Sequence, residues 1–198
     1  LPILPIQILW VNMITTAVLG TALALEPKEA DIMQRKPRDP KAAIVNGTLL
    51  GRIVLVGMII LAGAFGLFEY ELLRGADLAE ARTVVVNVII FVEILYLFNA
   101  RSLTRSPFQL GLFSNPWAVG GAILMILIQM LFTYAPFMHL LFGSAPMSLT
   151  LWLDVIAVSL VAFLVIEVEK WLRRKKAKKN QWEDINKWRS DRRLFAAV

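Results

Sequence analysis

The chain has no cysteine and a single histidine, His139. The first absence removes any disulfide framework, thiolate metal site or cysteine nucleophile. The second removes the multi-histidine clusters typical of zinc centres, so His139 reads as a solvated or interfacial side chain. No glycine-rich phosphate loop of the GxxxxGK[ST] type occurs. Charge is also scarce: Asp, Glu, Lys and Arg make up 18% of the 198 residues, against 58% hydrophobic. With a mean hydropathy of +0.64, this balance belongs to polytopic membrane proteins rather than soluble domains. The formal net charge of +6 would suit nucleic acid, but the basic residues stand beside hydrophobic runs, where membrane orientation explains them. No nucleic-acid partner is expected. The chain opens on Leu1-Pro2 without a charged leader, so it shows no signal peptide and reads as a piece of something longer.

What is present is organised around the apolar run Ile8 to Leu25, interrupted by Asn12, Thr15 and Thr16. At 1.5 Å per residue the run covers ~27 Å, close to the ~30 Å hydrocarbon core of a bilayer. Positions i, i+3 and i+4 share a helical face, so an amide oxygen and two hydroxyls lie on one stripe. Such a stripe is unfavourable in lipid unless it faces protein, water or an ion. Two readings follow. Either the threonines bond back to the preceding turn and Asn12 joins two helices, or the stripe holds a cation.

The hydrophobic pattern predicts an all-α, polytopic bundle of five transmembrane helices, over about 6–25, 47–73, 83–99, 117–134 and 151–170, followed by a basic tail over 173–198. Gly47 and Gly51, and Ala62 and Gly66, stand four apart on the second span and predict close helix packing. The third span carries Glu93 deep within the apolar run Val84 to Phe98. An ionised carboxylate there costs ~2.5–3.5 kcal/mol or more, so it is protonated, paired or bound to a cation. The structural alternative is a protonated Glu93 bonded to a neighbouring helix. Asn115-Pro116 predicts the start of the fourth span. Gln129, inside that span, predicts a helix-to-helix hydrogen bond.

Several stretches resemble type II cation-transporting P-type ATPases. Ile6-Gln-Ile-Leu-Trp-Val-Asn-Met-Ile-Thr15, Ala22-Leu-Ala-Leu-Glu-Pro27, Asp31-Ile-Met33 and Lys36-Pro-Arg-Asp-Pro40 are similar to the sixth membrane helix of that family and the loop after it. Phe91-Val-Glu-Ile-Leu-Tyr-Leu-Phe-Asn99 is similar to the eighth. The resemblance implies that the chain is the C-terminal transmembrane domain of such a pump, helices six to ten. It further implies that Asn12, Thr15 and Glu93 stand at cation-ligand positions, and that Thr16 replaces the aspartate usual in calcium pumps. Affinity for calcium rises with the number of charged ligands, so the neutral Thr16 points away from paired divalent sites and towards a monovalent cation, a proton-coupled variant or a single site.

The expected metal ligands are therefore Asn12, Thr15, Thr16 and Glu93, around a transported cation of unassigned identity. ATP and Mg2+ would belong to the parent pump and not to this fragment, which has no Asp-Lys-Thr-Gly phosphorylation motif. The expected partners are the lipid bilayer and the remaining transmembrane helices and cytoplasmic domains of the same pump. Of the 21 Lys and Arg residues, all but Arg74 and Arg82 fall on one side of the predicted spans. That side is then cytoplasmic, including the C-terminal tail, and the plasma membrane is the expected location. The competing reading is a stand-alone five-span protein serving as a partner-binding subunit or passive ion pathway.

Overall fold

The computed structural model describes residues 1–28, 45, 47–102 and 106–195, leaving out the side chains of 48, 177, 178, 180, 181 and 183–195. Asp31, Arg35, Lys36, Arg38, Asp39 and Lys41 of the proline-rich connector, and Arg105, lie outside the described residues. Among those described there is no strand, and five helices are long and apolar enough to cross a membrane.

The first span, Pro5–Ala24, begins on a proline whose missing N–H is not needed in a first turn. Gln7 fixes that entry: its Oε1 accepts the Leu4 N–H at 3.0 Å, and its Nε2 donates to the Phe142 carbonyl at 3.0 Å. The span is α-helical over Pro5–Ile14, π-helical over Thr15–Gly20 and α-helical again over Thr21–Ala24. The second span, Gly47–Leu73, ends at Gly75, whose φ of 84° suits a residue without a Cβ. The Ala76 N–H closes that turn on the Glu71 carbonyl at 3.0 Å.

The third span runs over Leu78–Ala100, starting five residues before the predicted 83. The reason is local: Asp77 accepts the Ala79 N–H at 3.1 Å and caps a helix start whose charged Glu80 and Arg82 lie outside the apolar run. The fourth span, Pro116–Tyr134, is capped as expected, with Asn115 Oδ1 accepting the Trp117 N–H at 2.8 Å. After it, between the fourth and fifth spans, lies a short helix, Pro136–Phe142. His139 Nε2 there donates to the Thr133 carbonyl at 2.8 Å. The fifth span is part of one unbroken helix, Leu149–Phe195, so most of the basic tail continues the span.

The third span is the axis of the bundle. Val86, Ile90 and Ile94 pack with Trp10, Ile14, Met125 and Phe132 of the first and fourth spans. Val84, Val85, Val88 and Val92 pack on the other side with Ala64, Phe68, Leu151 and Val155 of the second and fifth. Two stripes on opposite faces of one helix explain why its sequence is apolar almost all round. Gln129 is fully buried, but neither amide atom has a hydrogen-bond partner, so the expected helix-to-helix bond is not made through its side chain.

Glycine packing differs from the expected positions. A Cβ placed on Gly47, Gly51 or Gly66 would meet open space, whereas one on Gly63 would lie 2.8 Å from Val158 Cγ1. Gly63→Ala is expected to destabilise the bundle by about 1–3 kcal/mol through overpacking against a β-branched side chain that cannot swing away. Thermal unfolding in detergent should register that loss, and adding Val158→Ala should recover most of it.

Candidate cation site

The π-helical stretch begins at Thr15, within the stripe of polar side chains. A π-turn widens the helix by a residue and interrupts its regular ladder, and such turns gather at functional sites. Thr15 Oγ1 donates to the Val11 carbonyl at 2.8 Å. Its proton is therefore committed to the preceding turn, while its lone pairs stay free to meet a cation.

A cavity of about 230 Å³ lies where the first and third spans meet, lined by Thr15, Thr16, Leu19, Leu23, Glu93 and Tyr96 together with Leu97 and Ala100. It thus joins three of the four sequence-predicted ligands. Glu93 is half-buried, and its Oε2 is buried without a hydrogen-bond partner. The neighbour-bonded alternative, a protonated Glu93, would need an acceptor for its hydroxyl, and Oε2 has no hydrogen-bond partner. Asn12 does not line the cavity; it is exposed, on the same helical face one turn earlier. The residues around the cavity carry hydroxyl, phenol and carboxylate oxygens, set among the apolar side chains of Leu19, Leu23, Leu97 and Ala100. Oxygen ligands with one charged member suit a hard cation that has shed part of its hydration shell.

Tyr96 is the cavity residue that pattern reading missed, although its place three residues after Glu93 puts it on the same face. A second polar group, around Glu26, was also missed. Glu26 receives Arg101 Nε at 3.0 Å and Asn115 Nδ2 at 2.6 Å, tying the end of the first span to the end of the third and the start of the fourth. Such a clamp holds the first and third spans, and hence the two walls of the cavity, in fixed register.

Residues 1–172 match the family described as "Cation transporting ATPase, C-terminus". A protein named "Probable cation-transporting ATPase F" from Mycobacterium tuberculosis is 45% identical over 177 residues, covering 89% of this chain and 20% of that protein. "Cation-transporting ATPase pma1" from Synechocystis is 35% identical over 158 residues, 77% of this chain and 18% of its own. "Calcium-transporting ATPase 1" from Bacillus cereus is 32% identical over 187 residues, 85% of this chain and 21% of its own. The chain spans about one fifth of the length of these relatives. Five membrane helices, matched almost from end to end by one family, place this chain among the cation-transporting P-type ATPases, as their C-terminal membrane domain.

Proposed function

We propose that this domain supplies part of the ion pathway of an ATP-driven cation pump, holding a single cation between Thr15, Thr16 and Glu93. The observation that carries this reading is the unpaired, buried Oε2 of Glu93, a residue that lines one cavity with Thr15 and Thr16. Bringing a cation there balances the carboxylate and replaces lost water with protein oxygens. Asn12 adds an amide oxygen when a neighbouring helix of the pump closes over the exposed face of the first span. ATP and Mg2+ act on cytoplasmic domains outside this chain, and those domains and the remaining membrane helices are its partners. The charge bias of the loops supports a plasma-membrane orientation with the basic loops and C-terminal tail in the cytoplasm.

With Glu93 the lone carboxylate lining the cavity and Thr16 neutral, the site favours a monovalent ion or one divalent ion over a calcium pair. The Bacillus cereus relative carries calcium in its name, so calcium belongs in any screen. Phosphorylation of the full-length pump, measured against sodium, potassium, calcium, magnesium and manganese, tests the choice. Stimulation by sodium or potassium is the expected outcome. Strong stimulation by submicromolar calcium would refute the monovalent preference.

A further inference from the structure

Close to the cavity, three basic side chains converge with one acid. Arg52 of the second span and Lys170 of the fifth are 2% and 1% exposed. Both donate to Asn99 Oδ1, and Lys170 Nζ also reaches the Asn99 carbonyl at 2.9 Å. Asn99 Nδ2 donates to Glu167 Oε2 at 3.1 Å, while Glu167 Oε1 accepts from Arg174 at 3.0 Å. Among the described residues, Arg52, Lys170 and Arg174 thus gather around a single carboxylate, an excess of positive charge. Arg173 is no part of this balance, being paired with Glu169.

Tyr96 separates this group from the cavity. Its side chain lines the cavity, and the Arg52 Cζ stands 5.8 Å from its ring centroid. The Arg52 Nε and Nη1 have no hydrogen-bond partner, as befits a guanidinium laid against an aromatic face. Along the third span, Glu93 and Asn99 are separated by a rise of ~9 Å, with Tyr96 between them. The guanidinium meets both Tyr96 and Asn99, so by that rise its separation from the level of Glu93 is ~10 Å.

We propose that Arg52 is a specificity residue, a fixed positive charge behind the Tyr96 ring that weakens cation binding in the cavity and penalises divalent ions more than monovalent ones. The inference rests on the cation-site reading above. Across ~10 Å at an effective dielectric near 20, one unit charge opposes a monovalent ion by about tenfold in affinity and a divalent ion by about the square of that factor. The divalent-to-monovalent affinity ratio isolates the field from any effect of the substitution that weakens every ion alike.

The test titrates the full-length pump with sodium and with calcium, each as activating ion or as competitor of the activating ion. Arg52→Gln is expected to raise the calcium-to-sodium affinity ratio by about tenfold, and Arg52→Lys to leave it near the parent value. Lys170→Met should move the ratio the same way by less, because its ammonium meets Asn99 without the contact to Tyr96 that Arg52 makes. An unchanged ratio in Arg52→Gln, or equal shifts in the Gln and Lys variants, would overturn the proposal by showing that Arg52 acts only as packing. Should Arg52→Gln fail to reach the membrane, the Lys170→Met ratio decides in its place. A Glu93→Gln control separates the two claims: if it leaves ion affinity untouched, the cation-site reading itself falls.

Discussion

Glu93→Gln in the full-length pump is expected to reduce cation affinity by about two orders of magnitude without lowering the thermal stability of the membrane domain. The amide keeps the size of the side chain and one oxygen but removes the charge. A contact between unit charges at ~4 Å is worth ~4 kcal/mol at an effective dielectric of 20, and part of that is recovered by the neutral oxygen. Stability should hold or rise, because a buried carboxylate oxygen without a donor is costly in the unloaded protein. The opposite signs make the experiment decisive. A purely structural Glu93, hydrogen-bonded across helices, would lose stability on substitution and leave ion affinity unchanged. Asn12→Ala, one turn away on the first span, should cost less, since a neutral ligand is lost in place of a charged one; if neither variant alters affinity, the ligand assignment is wrong.

Arg101→Ala is expected to destabilise the domain by about 3–5 kcal/mol, the usual result of breaking a buried ion pair from one side. The Arg101 side chain is 2% exposed, and each of its three guanidinium nitrogens is hydrogen-bonded. Nε meets both Glu26 oxygens at 3.0 Å, Nη1 meets the carbonyls of Gly111 and Leu112 at 3.1 and 3.2 Å, and Nη2 meets Ser114 Oγ at 2.6 Å. Truncation leaves a carboxylate and two carbonyls short of donors. Arg101→Lys should recover little, because an ammonium cannot span those directions at once. In a double-mutant cycle with Glu26→Gln, the paired loss should fall well short of the sum of the single losses. Thermal unfolding in detergent reads all three variants.

The two predictions differ in how far the sequence alone leads to them. Glu93 was legible because a carboxylate inside an apolar run breaks a strong local pattern, and the Asn115-Pro116 start was legible because capping is a property of adjacent residues. Arg101 was legible only as a charge marking one side of a membrane; its partner Glu26 is 75 positions away, and no periodicity connects them. The Arg52, Asn99 and Lys170 group was hidden for the same reason, since each belongs to a different span. Glycine spacing misled: Gly47 and Gly51 have the right interval, yet the tight contact falls at Gly63, where the fifth span crosses. Spacing tells which residues share a face, but which face meets a neighbour is decided by the whole bundle. The early start of the third span was obscured by charge, which looks alike on an exposed helical turn and in a loop.

The unbroken fifth helix has a mechanical meaning. From Lys170 to Phe195 it continues as one helix, a length of ~38 Å at 1.5 Å per residue. A rigid arm of that length magnifies angle into displacement, and a tilt of about five degrees at its root carries the tip ~3 Å sideways. Lys170, at that root, is held by Asn99 at the end of the third span, so small rearrangements at the edge of the bundle become visible at a point well outside it.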